Sequence, residues 1–357
     1  MFKNYHLIFF CSFLLLLFYL FTNQVTPLKA LDSVQKNNSN DSSKELEDLK
    51  KYALTKINED RKSFGFTPVL QSTNTAAQIQ ANELLKTNVI SHWTPDGFKP
   101  YMLYSLYNGT GYVQQNIGQI SYINTNNSKN NLKSFDLCSN NKKIYCTPID
   151  PYKAIANLEY SMIYDDLKCC NNGHKNNTLD KFHTHVSLGI AFNKYYFVMV
   201  QNFENHYLDS NYTIQKDNEK IKLEAKILEQ NNVNFKINHV SFFLDDNPTK
   251  LEYEKNKNKN HYEFGDLKLM VSKPLSSNEK YLQQEEDSYT IIEAKKWESD
   301  NNMLKLEIKL PESLDIKNKV LTMVVYAEKE DNEDNIDKKS NNKNNEELIP
   351  LTSYTFF

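Results

Sequence analysis

The chain has 357 residues, which is long enough for two domains with a sizeable core. Its 42 Lys and Arg residues nearly balance its 45 Asp and Glu residues, and the formal net charge is −3. No strongly basic surface is therefore expected, and we exclude proteins that bind nucleic acid or acidic lipid through bulk positive charge.

The amino-terminal residues predict export from the cell. Residues 1–6 are polar and include Lys3, and the next fifteen residues, LIFFCSFLLLLFYLF, are almost wholly apolar. This stretch is short for a membrane span and has the length of a signal-peptide core. We interpret residues 1–30 as a signal peptide cleaved near Ala30, with an uncleaved amino-terminal anchor as the alternative. Residues 31–44 are polar and predict a flexible linker. The protein would then be extracellular or held at the cell surface, with membrane contact only through an uncleaved anchor.

Four cysteines remain after the predicted signal, namely Cys138, Cys146, Cys169 and Cys170. In an oxidising compartment an even number of cysteines favours two disulfides, for which three connectivities exist. A disulfide between the adjacent residues 169 and 170 would be strained, so we expect 138 and 146 to pair with 169 and 170. A four-cysteine zinc site is the alternative, but the spacing is not that of two zinc knuckles.

The region 45–207 alternates helical and strand patterns. Apolar residues recur every three or four positions in three segments, each bounded by a start or stop signal. We predict helices from after Ser43 to Gly65, from Thr75 to Thr87 and from Pro151 to about Asp166, then the strands HVSLGIAF and YYFVMVQNF. This pattern predicts an α/β domain.

The region 208–357 has a different character, because helical periodicity disappears. About six alternating or β-branched runs, such as KIKLEAKIL and MLKLEIKL, are separated by Asn, Lys and Asp turns. This spacing favours a β-sandwich of the immunoglobulin-like type. The charged segments 255–260 and 329–347 are interpreted as disordered loops within it.

Three residues of the first region could ligate a metal. His92 follows the second predicted helix, Glu159 lies within the third, and His174 follows Gly173. Two imidazoles and a carboxylate are a common ligand set for zinc or another divalent cation. Spacing alone does not distinguish this set from structural histidines and a hydrogen-bonded glutamate.

Several segments in this region together resemble the CAP superfamily of cysteine-rich secretory, venom-allergen and pathogenesis-related proteins. They are the stretch from ALTKINEDRKSFG through SHWTPDGF to YVQQNI, and then NLEYSMIYDD, NNGHKNNTLDKFHTHVSLGIAF and YYFVMVQNF. The resemblance implies an α-β-α sandwich with a cleft that carries two His and two Glu. The histidines correspond to His92 and His174 and one glutamate to Glu159, whereas the family's G-E-N glutamate corresponds to Gln115, followed by Asn116.

The amide at position 115 predicts a degenerate cleft. Glutamine keeps the hydrogen-bonding reach of glutamate but loses its charge and its ability to act as a general base. We expect Gln115 to hydrogen-bond a water molecule or an imidazole nitrogen. The favoured function is non-catalytic binding of an extracellular protein, a wall component or a small apolar ligand.

Two alternatives remain open from the sequence. One is a metal-assisted hydrolase that acts on peptide or cell-wall material through His92, His174 and Glu159. The other is a lipid or sterol carrier, since lipid binding occurs in the family and several tyrosines follow His92.

Overall fold

A computed structural model describes residues 39–121, 148–209, 213–217, 219–228, 235–276, 279–281, 288–300, 302–329 and 347–357. The predicted signal, Cys138, Cys146 and most of the predicted loop 329–347 lie outside these ranges. The chain divides into two compact units, Met1–Glu45 and Leu46–Phe357, and everything below except the start of the first helix belongs to the second unit.

The predicted mixed α/β class is confirmed. The described helices are α1 Ser39–Ser63, α2 Ala76–Thr87, α3 Pro100–Leu106, α4 Pro151–Tyr164, α5 Leu167–Cys170, α6 Gly173–Thr178 and α7 Lys250–Asn256. The described strands are β1 Leu70–Gln71, β2 Tyr112–Ser121, β3 His185–Phe192, β4 Tyr196–Asn205, β5 Thr213–Asp217, β6 Lys220–Lys226, β7 Phe235–Asp246, β8 Asp266–Ser272, β9 Thr290–Glu293, β10 Lys296–Asp300, β11 Met303–Lys309, β12 Lys319–Lys329 and β13 Ile349–Phe356.

The local signals for the predicted helices act as expected, with one correction. Asp150 caps α4 by accepting hydrogen bonds from the backbone N–H groups of Tyr152 and Lys153, and a proline begins the helix. Helix α1, however, begins at Ser39. The last six residues of the predicted linker 31–44 are therefore helical, because the polar Ser-Asn-Asp run continues directly into the amphipathic pattern.

Helices cover both faces of the first sheet, whose strand order is β1-β3-β4-β2. Successive residues of β4 point to opposite faces, and its Phe197 and Met199 pack with α1 and α4 while Val198 and Val200 pack with α2. Helix α2 approaches β3 closely at Gly189, where an added Cβ atom would lie 1.9 Å from a backbone oxygen of α2. This sheet and its helices form the scaffold for the predicted cleft residues.

Two further sheets form the second half of the chain, in the orders β10-β11-β6-β5 and β13-β12-β7-β8-β9. The burial of β6 alternates strictly along the strand, with its apolar residues inside. Its buried side chains join those of β7, β8, β11, β12 and β13 in one hydrophobic cluster, so the two sheets pack face to face.

The two halves are joined by a polar and aromatic interface. Asp245 in β7 is buried, and its carboxylate lies 2.6 Å from Lys99 Nζ and accepts a hydrogen bond from Tyr101 Oη at 2.7 Å. Strand β13 adds contacts to the first half, including the hydrogen bond from Thr355 N to Ser105 Oγ at 3.1 Å. The two predicted domains, 45–207 and 208–357, both lie within the compact unit Leu46–Phe357.

We expect Asp245→Ala to lower the free energy of unfolding by roughly 3 kcal/mol, because it leaves Lys99 and Tyr101 without their buried partner. Urea denaturation followed by fluorescence measures this loss. The matched control is Asp246→Ala, which removes the neighbouring exposed carboxylate that pairs with Lys319 and should leave unfolding nearly unchanged. Equal effects of the two substitutions would contradict a central role for Asp245.

Candidate functional site

A cavity of about 610 Å³ contains most of the residues predicted for the cleft. His92, Gln115, Asn116 and His174 all line it, although they are far apart in the sequence. Its opposite wall comes from residues 260–264, which belong to the second half of the chain. The cavity is therefore built by both halves.

The two residues at the centre of the prediction contact each other directly. His92 Nδ1 lies 3.0 Å from Gln115 Oε1, and both side chains are buried. Gln115 Nε2 in turn donates to Asn202 Oδ1 at 3.0 Å, which holds the amide in place from β4. The prediction that Gln115 hydrogen-bonds an imidazole nitrogen is confirmed.

The environment keeps the His92 ring neutral at pH 7. Burial lowers the pKa of His92 to about 4, and the hydrogen bond to Gln115 only partly opposes this effect. The nearby His174 lowers the pKa of His92 further. An amide provides a hydrogen-bond partner for a neutral imidazole without the negative charge that would favour its protonated form.

Asn116 fixes the position of α6 against the sheet. Its Nδ2 lies 3.1 Å from the backbone oxygen of His174 and 3.0 Å from Thr178 Oγ1, and its Oδ1 accepts a hydrogen bond from Asn177 Nδ2 at 2.9 Å. Asn116 is therefore a positioning residue for His174, which is the second residue of α6.

Asp166, which was not among the predicted site residues, is the partner of His174. Its Oδ1 lies 2.6 Å from His174 Nδ1, and its Oδ2 accepts a hydrogen bond from Lys175 N at 3.2 Å. The Asp166 side chain is only 1% exposed. The signal in the sequence is an acidic residue at the end of the predicted third helix and shortly before the Gly-His pair.

Glu159 is not where the predicted ligand set requires it. Its side chain is buried in α4, and its Oε2 accepts a hydrogen bond from Gln201 Nε2 at 2.7 Å. Its Oε1 has no hydrogen-bond partner among the described residues. Burial raises the pKa of Glu159 to about 8, so the carboxyl group is largely protonated at pH 7. The structure does not place Glu159 among the residues that line the cavity.

A different group of residues could hold a metal ion. Asp166, Cys169, Cys170 and His174 each present a ligand atom, and these atoms all lie within 4.8 Å of one another. In the described part of the chain this is the one such group of three or more His, Cys, Asp or Glu side chains. The expected set of His92, His174 and Glu159 is thus not assembled, because α4 directs Glu159 to the strand β4 instead.

The predicted disulfide pairing also needs correction. Cys169 is bonded to Cys170, so neither is available to Cys138 or Cys146, which lie outside the described residues. The two cysteines stand side by side at the end of α5, and this local geometry outweighs the strain expected of an adjacent pair.

The segment 255–260 was predicted as a disordered charged loop, and this prediction is wrong. Helix α7 extends to Asn256, where Tyr253 and Asn256 are buried. The following residues lead to Tyr262, whose hydroxyl accepts a hydrogen bond from Gln115 N at 2.9 Å. The Tyr262 ring lies 5.0 Å from the His92 ring, so this segment covers the histidine.

Comparison with known proteins adds no assignment. No family model matches the chain, and no curated protein sequence matches it significantly. Among the helices that the structure describes, none combines the length and the apolar composition that crossing a bilayer requires.

We expect the stability of the protein to fall by about 3 kcal/mol between pH 6.5 and pH 4 on account of His92. The unfolded chain takes up a proton near pH 6.5, whereas the folded protein resists protonation until about pH 4. The substitution Gln115→Glu places an anion beside the ring, raises the pKa of His92 and should remove this part of the fall.

Urea unfolding of the wild type and the variant at several pH values provides the measurement, and the difference between the two proteins isolates His92 from the other histidines. The control is Gln114→Glu, which adds the same charge one residue away. A pH profile of Gln115→Glu that parallels the wild type would contradict the assignment.

Proposed function

We propose that the protein is a non-catalytic extracellular binding protein with a CAP-type domain, and that its cavity takes a neutral, hydroxyl-rich ligand such as the glycan part of a wall component. The single observation that carries the proposal is the chemistry of the cavity wall. Six amide side chains line it, from Gln114, Gln115, Asn116, Asn176, Asn177 and Asn260.

Amides suit a ligand that both donates and accepts hydrogen bonds. A side-chain amide can offer two N–H donors and a carbonyl acceptor, and it carries no charge. The amide oxygen and nitrogen of Gln115, Asn116 and Asn177 already bond within the protein. The proposal therefore depends on Gln114, Asn176 and Asn260. The rings of Tyr112, Tyr262 and Phe264 add apolar surface to the same cavity, against which the faces of sugar rings can pack. A neutral His92 completes a wall that can recognise hydroxyl groups.

The arrangement of the first half supports the CAP-type assignment. Helices pack on both faces of a four-stranded sheet, as in the α-β-α sandwich that the resemblance implies. His92, Gln115 and His174 line one cavity at the positions that the resemblance assigned. The separation of Glu159 from this cavity departs from the expected tetrad.

The strand order of the second half supports an immunoglobulin-like module. If β5 to β13 are lettered A, B, C, C′, C″, D, E, F and G, the sheets read D-E-B-A and G-F-C-C′-C″. The same strand order occurs in the two sheets of a variable-type immunoglobulin domain. One departure is that β8 and β9 pair in parallel. Such a module would hold residues 260–264, which precede β8, in place as a wall of the cavity.

Metal-assisted hydrolysis is the second candidate, because the imidazoles of His92 and His174 line one cavity. The sequence does not retain the expected acid at position 115, and Glu159 lies elsewhere. Zinc-loaded protein that cleaves a peptide or cell-wall substrate, with turnover lost in both His92→Ala and His174→Ala, would establish this candidate over ours. A lipid carrier is less favoured, since the acyl chain would lie against a wall rich in amide side chains.

We expect the purified protein to bind neutral oligosaccharides on a glycan array, and titration calorimetry with the best of them to give a measurable affinity. Replacement of Gln114 or Asn176 by Ala should weaken binding about tenfold, because a buried ligand hydroxyl loses its partner. The control is Gln71→Ala, which removes an exposed glutamine outside the cavity.

Absence of binding to every neutral oligosaccharide would sink the proposal. A stoichiometric lipid in a solvent extract of the purified protein would favour the lipid carrier instead.

A further inference from the structure

We propose that Asp166, Cys169, Cys170 and His174 form a redox-gated site for a thiophilic divalent cation, with Zn²⁺ as the ion that their chemistry favours. In the disulfide form the two sulfurs are bonded to each other. In the dithiol form they would join the carboxylate and the imidazole as ligands. This site goes beyond the proposed function and does not depend on the ligand of the cavity.

The chain brings the four side chains together within nine residues. Cys170 N donates to the backbone oxygen of Asp166 at 3.0 Å, which sets the single turn of α5 over the carboxylate. Asn171 and Asn172 then adopt left-handed conformations, with φ of 51° and 61°, and reverse the chain direction. His174 therefore returns to the carboxylate of Asp166, 2.6 Å away.

The donor set indicates the class of cation. Two thiolates, one imidazole and one carboxylate are ligands of borderline-soft ions, and four such ligands suit the tetrahedral coordination of zinc. Calcium or magnesium would need several oxygen ligands, and this cluster offers one carboxylate. The second carboxylate oxygen of Asp166 accepts a hydrogen bond from Lys175 N, which would orient the ligand in the way that outer-shell contacts do.

The switch between the disulfide form and the metal-binding form is a balanced two-electron exchange with an external thiol. A small thiol reductant transfers two electrons to the Cys169–Cys170 bond, which gives two protein thiols and the disulfide of the reductant. A divalent cation then displaces the two thiol protons and binds the thiolates. An external disulfide reverses the reaction and releases the ion. Cys169 is exposed, so both the reductant and the cation can reach the pair.

Reduction and cation binding would also change the ligand cavity, because two residues of the cluster line that cavity as well. Cys170 and His174 line the cavity that contains His92. A bound cation would replace the contact between Asp166 and His174 by bonds to both residues. The redox state of the cysteine pair would thereby alter the structure of one wall of the cavity.

The test uses the full chain with Cys11, Cys138 and Cys146 replaced by Ser, so that only the adjacent pair remains. The protein is reduced with a trialkylphosphine, which is then removed, and is titrated with Co²⁺ and with Zn²⁺. We expect one ion per chain and a thiolate-to-cobalt absorption band in the reduced protein. The disulfide form of the same protein should lack the band and bind at least tenfold more weakly.

Matched variants test whether these four side chains bind the ion, or whether the polar surface in general does. Asp166→Asn should weaken Zn²⁺ binding about 10–100-fold, as changes around metal sites commonly do. Asp165→Asn, at the neighbouring exposed acid, should not change it. His174→Ala should also weaken binding, whereas His261→Ala, which removes another histidine of the cavity wall, should not.

Equal binding before and after reduction would overturn the proposal, as would a cobalt band that survives Cys169→Ser with Cys170→Ser. If that double variant does not fold, alkylation of the reduced thiols with iodoacetamide makes the same comparison on the folded chain. These readouts do not involve oligosaccharides, so failure here is distinguishable from failure of the proposed function.

Discussion

His92 is buried next to Gln115, 3.0 Å from its amide oxygen, and Tyr262 of the second half covers it. A charged imidazole at this place would be costly, since burial lowers the pKa of His92 to about 4. An amide at position 115 fits this neutral ring, whereas a carboxylate would favour its protonation. The same pairing removes the acid on which metal-assisted hydrolysis would most obviously depend, and it leaves a cavity wall whose amides suit recognition of hydroxyl groups.

The contact between the two halves gives this pair its environment. Asp245 ties β7 to Lys99 and Tyr101, and the segment that follows α7 then passes over the cavity. Without the second half, His92 would lie against solvent and its pKa would be closer to the ordinary value. The β-rich half is therefore part of the cavity wall.

Much of the site could be predicted from the sequence because short segments resemble those of the CAP superfamily in the same order. The Ser-His-Trp after α2, the Gln-Gln-Asn in β2 and the Gly-His at α6 each occur in a short recognisable segment, and four of the five cleft residues do line one cavity. Glu159 could not be placed in this way, since the sequence does not reveal whether a mid-helix acid faces the cavity or Gln201. Tyr262 could not be predicted as the cover of His92, because the charged composition of 255–260 does not reveal that the buried Tyr253 and Asn256 anchor this segment.

The most direct test of the account is the protonation state of His92 at neutral pH. Long-range ¹⁵N–¹H spectra of the histidine rings, with His92→Gln used to assign its signals, distinguish a neutral imidazole from an imidazolium. We predict a neutral His92 ring at pH 7 that begins to take up a proton only below about pH 5. A ring that is already protonated at pH 7, or that titrates like an exposed histidine near pH 6.5, would contradict the account.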